Sequence, residues 1–456
     1  MKTKMLFGLL MVLTTCLAYA KPVDMHKRAR ELTKLKWGMF ICWSFSTFSG
    51  NEWTPGIKDV SFFRATGCDT DQWARTAKEA GMGYILFLTK HHDGFCLWDT
   101  VTTERKVTRS PLGYDVLARL RKSCDKYGIK LALYFSEGEF DDNKNYHPGG
   151  YTPEMKKAQL KELLTRYGPI EYIWFDHAQT DGGLSHMKTV EWCHLWQPRT
   201  LIGFNHGEAA GEVSLREVGR PGPLGNLASA SYNSDNEAKF KGYLMAEFTY
   251  PIQPAHEGGA MWFYSLPRHD SLCLPADKLY RDYLGAVKYG NIFSIDVGPN
   301  YEGKLRDVDV KTLLKVGRMI KSKALLPPLF KALSEGKPAR ASSIWNANYD
   351  ASRAFDNDES TRWGASPDSR TGWLEVDLGS VQNIGRAIII ETFHRTQDFA
   401  IEYKLGDNWK ILYHGGTIES GKPVEFTPTI TRYVRLNILK ASEVPTIEEF
   451  QILKPR

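Results

Sequence analysis

Residues 70–98 read TDQWARTAKEAGMGYILFLTKHHDGFCLW. The first half carries apolar residues at helical spacing and stops at Gly81; the second is a short apolar run, GYILFLTK, that stops at two adjacent histidines, His91 and His92. A helix closed by glycine, followed by a buried strand closed by polar residues, is one unit of an α/β fold. Working outward, the alternation recurs. Strand-like runs are KWGMFICWSF, GYILFLTK, IKLALYFS, IEYIWFD, RTLIGFN, YLMAEFT and NIFSIDV; between them fall TDQWARTAKEAG, YDVLARLRKSCDKYG, TPEMKKAQLKELLTRYG, SHMKTVEWCHLW and PADKLYRDYLGAVKYG, all amphipathic at helical period. From about Trp37 to residue 325 this predicts a (β/α)8-like TIM barrel. Beyond PPLFKALSEGKPARASS the pattern changes to short strands between turns: WLEVDLG, IGRAIIIETF, DFAIEYKLG, NWKILYHGG, PVEFTPT, TRYVRLNIL and IEEFQIL. These predict an antiparallel β-sandwich of jelly-roll kind. The expected division is a barrel over residues 21–330 and a sandwich over 336–456.

Residues 1–20 have a basic start (Lys2, Lys4), an apolar run from Met5 to Leu13 and the small-residue pattern Ala18-Tyr19-Ala20. They read as a signal peptide, so export to the periplasm or the medium is expected. Leu13-Thr14-Thr15-Cys16 resembles a lipoprotein cleavage box with a poorly fitting threonine before Cys16, making a lipid anchor the lesser expectation. No later run reaches the roughly 20 apolar residues of a membrane-spanning helix. The 59 basic and 53 acidic residues are interspersed, which argues for a solvated mixed surface and against a nucleic-acid partner. Six cysteines between Cys42 and Cys273 lack close metal-type pairs; several lie in strand-like runs, where buried free thiols are expected.

In a (β/α)8 barrel the active site forms at the carboxyl ends of the strands. Those ends supply His91, His92, Glu137, Asp176, Asn205 with His206, Glu247 and Asp296. Carboxylates, imidazoles and an amide converging on one rim suit a hydroxyl-rich ligand. Cleaving a glycosidic bond commonly takes two carboxyl groups from different strands, one ionised and one protonated. Asp176, ending the apolar strand IEYIWF, is the nucleophile candidate. For the acid/base there are two candidates: Glu217 in LREVGRPG, read as lying on a loop, and Glu247 in MAEFTYP, read as a strand end. Glu137 and Glu139 in SEGEF, from an earlier rim position, are further possibilities, though they read first as solvated loop acids. Trp43, Glu52, Trp53, His91, His92, Trp98, Tyr134 and Trp174 fall at or just after strand ends, where rings and planar hydrogen-bonding groups would meet a sugar.

KWGMFICWSFSTFSGNEW, DQWARTAKEAGMGYILFLTKHHDGFCLW, EYIWFD and GGAMWFY together resemble glycoside hydrolase family 29, the retaining α-L-fucosidases, over roughly residues 30–325. The resemblance implies that Asp176 is the nucleophile, that His91 and His92 bind fucose hydroxyls, that Glu52 and Trp53 line the pocket, that Trp174 packs beside the nucleophile, and that catalysis uses no cofactor. Three segments depart from the family. Cys42 stands where an imidazole is usual; Glu217-Val218-Gly219-Arg220 is shifted relative to the family's acid/base segment, leaving Glu217 slightly ahead of Glu247; and SEGEF replaces the usual third-strand wording. These leave open another L-sugar, such as an α-L-galactoside, or a carbohydrate-binding protein with impaired catalysis. The C-terminal segments AFDNDESTRW, WLEVDLG and EEF resemble a discoidin-like domain (coagulation factor five/eight type C, related to carbohydrate-binding module family 32), which implies a structural Ca²⁺ held by Asp356, Asp358, Thr361 and Glu449, with His394 and Arg395 in a candidate glycan-binding loop. The expected partner is a fucosylated oligosaccharide or glycoconjugate.

Overall fold

The computed structural model describes residues 22–455 apart from 141–149, 178–185, 207–210, 255, 257, 327–330, 359–360, 392, 419–420 and 422. The expected signal segment and Cys16 lie outside the described residues. Eight parallel strands close into a barrel: β1 Trp37–Ile41, β2 Tyr84–Lys90, β3 Lys130–Ser136, β4 Tyr172–Asp176, β5 Leu201–Phe204, β6 Val213–Glu217, β7 Met245–Pro251 and β8 Ile292–Val297, with β8 pairing back onto β1. All but the ends of these strands are buried, as parallel strands covered by helices must be. The helices start where local chemistry satisfies their free N–H groups. Asp69 caps Thr70–Glu79, Asp115 caps Val116–Tyr127, and Thr152 caps Pro153–Arg166, whose proline occupies the first turn. Gly128 closes the second of these in the left-handed conformation.

The sequence reading found seven of the eight strands and took Glu217 for a loop residue. It is instead the last residue of β6. Val-Ser-Leu-Arg-Glu does not look like a buried strand because Arg216 interrupts it, yet that guanidinium is fully buried, paired with Glu237 and donating to the carbonyls of Gly222 and Pro223. The barrel interior is tight at its lower end. A Cβ on Gly38 would stand 2.5 Å from the Tyr84 ring, so only glycine leaves room for that tyrosine, whose hydroxyl meets Ser294 Oγ at 2.7 Å.

A second core, built around Phe355, Trp363, Leu374, Val434 and Phe450, belongs to an antiparallel β domain. Its segments partly merge. WLEVDLG and IGRAIII form one bent strand, Gly372–Ile390, and PVEFTPT with TRYVRLNIL another, Pro423–Ala441, paired with each other through two register shifts. Thr396–Leu405 and Asn408–Gly415 extend the sheet on one side, Glu449–Leu453 on the other. No helix among the described residues is long and apolar enough to cross a membrane.

Candidate active site

A cavity of about 580 Å³ opens at the carboxyl ends of the barrel strands, lined among others by Cys42, Glu52, Trp53, His91, His92, Tyr134, Trp174, Asp176, His206 and Glu217. Asp176 stands at the centre of its hydrogen bonding. Its Oδ2 accepts from Tyr134 Oη at 2.6 Å and its Oδ1 from Asn205 Nδ2 at 2.9 Å and from the His177 N–H at 2.9 Å. His92 Nε2 lies 3.6 Å from Oδ2. Burial pushes this carboxyl up, but the imidazoles of His92 and His206 and the donors Tyr134 and Asn205 outweigh it and hold the group below its ordinary value.

Glu217 comes from the opposite side of the same amide. Its Oε2 accepts from Asn205 Nδ2 at 2.8 Å and lies 2.6 Å from His206 Nε2. Burial lowers the His206 imidazole, yet the Glu217 contact and the charges of Glu217 and Asp176 raise it overall. Two bonds from one nitrogen, splayed by the amide's trigonal geometry, place an oxygen of Asp176 and one of Glu217 about 5 Å apart, near the separation of carboxyl pairs that act with retention. Asn205 is itself oriented: its Oδ1 accepts from Asn233 Nδ2, and Asn233 Oδ1 accepts from the His206 N–H. The residues directly after Asp176, Asn205 and Glu217 are all left-handed, with φ of 52° at His177, 56° at His206 and 50° at Val218. For a β-branched valine that conformation is costly, and it turns the chain sharply away at the strand end.

The remaining wall is aromatic and polar. Trp174 stacks on Tyr134 at 5.3 Å, His91 meets Phe263 edge-on at 5.2 Å, and the imidazoles of His92 and His177 stack at 3.8 Å. Burial drives His91 down to about 3, so it is a neutral hydrogen-bonding group. Glu52 accepts from the Met261 N–H at 2.8 Å and is pushed up by burial. Trp53, 62% exposed, stands at the lip.

Several candidates lie elsewhere. Trp43 is fully buried against Phe63 and Trp73, donating to the Asn300 carbonyl, and Trp98 is buried on Glu162. Glu137 and Glu139 are not solvated: they form buried ion pairs with Lys156 and Lys90. Glu247 does not reach the cavity. Strand pairing sets it level with Leu215 and sets Glu217 level with Thr249, so Glu247 lies two residues, or about 6–7 Å, deeper in the barrel. There it accepts from Trp174 Nε1 at 3.1 Å, completely buried. Residues not nominated beforehand also line the cavity, among them Phe40, His177, Trp262 and Phe263. Asn205 and His206 are legible as a strand end and Trp262 lies in the landmark segment GGAMWFY, whereas His177 carries no signal beyond adjacency to Asp176.

Burial raises Glu247 to about 7. An unfolded glutamate ionises near about 4.3, so between these values the folded chain binds more protons than the unfolded chain and stability falls as pH rises, by roughly 4 kcal/mol in all. Glu247→Gln should flatten this slope. Thermal unfolding between about pH 4.5 and 8 checks it; equal slopes for wild type and variant would rule out Glu247 as the source.

A TIM barrel whose rim gathers an ionised aspartate and a histidine-paired glutamate on either side of one amide is the arrangement of a two-carboxyl glycoside hydrolase. Comparison with known proteins narrows the class. Residues 58–324 match the family model described as "Alpha-L-fucosidase", and residues 338–450 that of the F5/8 type C domain. The chain belongs to the α-L-fucosidase family, glycoside hydrolase family 29. It is 26% identical over 439 residues to alpha-L-fucosidase 1 of Arabidopsis thaliana, covering 90% of this chain and 83% of that protein. It is 21% identical over 335 residues to human plasma alpha-L-fucosidase, covering 66% and 69%. The fold is shared with the crystal structure of a glycoside hydrolase 29 family member from an unknown rumen bacterium, with a TM-score of 0.53, 21% identity, and coverage of 95% of this chain and 77% of that one.

Proposed function

We propose that this protein is an exported retaining exo-enzyme that removes terminal α-L-fucose from oligosaccharides or glycoconjugates, with Asp176 as nucleophile and Glu217 as acid/base. The observation that carries the reading is the single Asn205 amide that bridges both carboxyls. Asp176, kept ionised by its donors, attacks the anomeric carbon; the bond to the leaving oxygen breaks as the proton shared between Glu217 and His206 passes to that oxygen. Water, deprotonated by Glu217, then displaces Asp176 at the same carbon, restoring the α configuration. His91, His92, Glu52, Trp53, Tyr134 and Trp174 hold the sugar. NMR of the first anomer released from an aryl α-L-fucoside tests this. α-L-Fucose is expected; the β anomer, or no release, would overturn it.

A second reading, cleavage of α-L-galactosides, draws on Cys42. Burial keeps its thiol protonated, so it offers the sugar a small, weak hydrogen-bonding group. Comparing kcat/KM on the two aryl glycosides decides between them. Export rests on the character of residues 1–20, and recovery of the processed chain from the periplasm or medium tests it.

The calcium proposal has a partial donor set. Asp356 Oδ1 is buried without a hydrogen bond, the Asp356 and Glu449 carboxyls meet, and Thr361 Oγ1 donates to Asp356 Oδ2 at 2.7 Å. The Asp358 carboxylate is engaged elsewhere, by Arg220. Among the described residues no group of three or more His, Cys, Asp or Glu gathers as for a metal ion, so main-chain and hydroxyl oxygens would have to complete the shell around Asp356 and Glu449. That chemistry fits a hard cation. Added Ca²⁺ should raise the melting temperature and chelator should lower it, both effects vanishing in Asp356→Ala; a melting temperature indifferent to Ca²⁺ would count against the site.

A further inference from the structure

The active-site rim continues onto the C-terminal domain. Three residues beyond Glu217, Arg220 abuts Asp358 of that domain. Tyr232, 63% exposed, stands 5.7 Å from the His206 ring at the cavity wall. Burial and the Glu217 charge push its phenol up while the Arg362 guanidinium draws it down, so the acid/base candidate and a C-terminal-domain arginine bear on the same ring. Arg362 lies over the rings of Tyr349 at 5.2 Å and Phe393 at 5.0 Å, and Trp345 is 6.5 Å from Tyr349. Trp345 and Phe393 are 49% and 45% exposed.

Arg362 is the unusual member. Its Nε is buried without a hydrogen-bond partner, and among the described residues no carboxylate pairs with it. Neighbouring Arg395, by contrast, pairs with Glu443 at 2.9 Å. A guanidinium stacked between rings, lacking an anion among the described residues and near enough to Tyr232 to bear on it, is suited to a ligand that brings the anion itself.

We propose that Tyr232, Arg362 and Trp345 form the leaving-group half of the active site, shared between the two domains, and that it takes an oligosaccharide carrying a carboxylate sugar next to the fucose. The carboxylate pairs with Arg362 while sugar rings stack on Tyr232 and Trp345. Tyr232 stands beside His206 of the sugar pocket, and the Arg362 guanidinium, unpaired among the described residues, is complementary in charge to this occupant. The proposal rests on the hydrolase reading for its biological sense, although its binding arm does not require turnover.

The test uses the full chain and two pairs of oligosaccharides that differ only in glucuronate against glucose beside the fucose position. Titration calorimetry with the unfucosylated pair measures binding alone; kcat/KM with the fucosylated pair measures use. Wild type should favour the glucuronate form about tenfold in both, chiefly through Kd and KM, and the preference should fade at high salt. Arg362→Ala should erase it, and Arg362→Lys, which keeps charge and stem, should retain most of it. Equal binding of the two forms by wild type, or an undiminished preference in folded Arg362→Ala, would overturn the proposal. A merely structural role for Arg362 would lower the melting temperature and weaken both forms equally, which also overturns it. If glucuronate is preferred in binding but no fucose is released, the hydrolase reading fails and this one stands.

Discussion

Replacing Asp176 by alanine lowers kcat on an aryl α-L-fucoside by about 10⁴-fold or more, roughly 5 kcal/mol of barrier. The size follows from what is lost. Among the described residues no other group lining the cavity combines ionisation below the ordinary carboxylate range with a fixed position facing it, since Glu52 is pushed the other way by burial. KM changes little, because His91, His92 and the aromatic wall remain. Azide in the Asp176→Ala pocket should restore turnover and yield the β-configured fucosyl azide, the anion attacking from the face the carboxylate had occupied. Steady-state kinetics and NMR of the product measure both. An Asp176→Ala variant within tenfold of wild type would remove it as nucleophile.

Glu217→Gln carries the second large effect. The loss should be about 10²–10⁴-fold on a fucosylated oligosaccharide, whose sugar leaving group needs a proton, and far smaller on an aryl fucoside with an acidic phenol. The alkaline limb of the pH profile, where His206 raised by its Glu217 contact loses its proton, should move to lower pH in the variant. Glu247→Gln should not discriminate between leaving groups, because its carboxyl sits below the cavity on Trp174. The opposite pattern, leaving-group dependence in Glu247→Gln only, would reverse the assignment.

The residues that were easy to read are those whose role follows from local pattern. Asp176 ends an apolar strand, and the run IEYIWF makes that end visible. The limits were physical as well. Glu247 looked like a strand end because MAEFTYP turns polar early, but the strand runs to Pro251, and only its pairing with β6 reveals its depth. β6 itself was hidden because Arg216 is made compatible with burial by Glu237, a partner supplied by tertiary structure alone. Lys90 and Lys156, the buried partners of Glu139 and Glu137, look in sequence like any solvated lysine. Trp43 and Trp53 are only ten residues apart and of one type, yet one is core and the other lip; nothing local distinguishes them.

The chain of amides behind the two carboxyls has an evolutionary consequence. Asn233, which fixes the orientation of Asn205, is the immediate neighbour of Tyr232, and its own oxygen anchors the His206 backbone. A turn of three residues, Ser231–Asn233, therefore faces outward to whatever the sugar is attached to and inward to the spacing of the reacting groups. Changes there that adapt the enzyme to a new glycan also disturb the distance on which the chemistry depends. Divergence in preference is then expected to run through the far side, Trp345, Phe393 and Arg362, where a second domain can drift without moving the barrel's carboxyls.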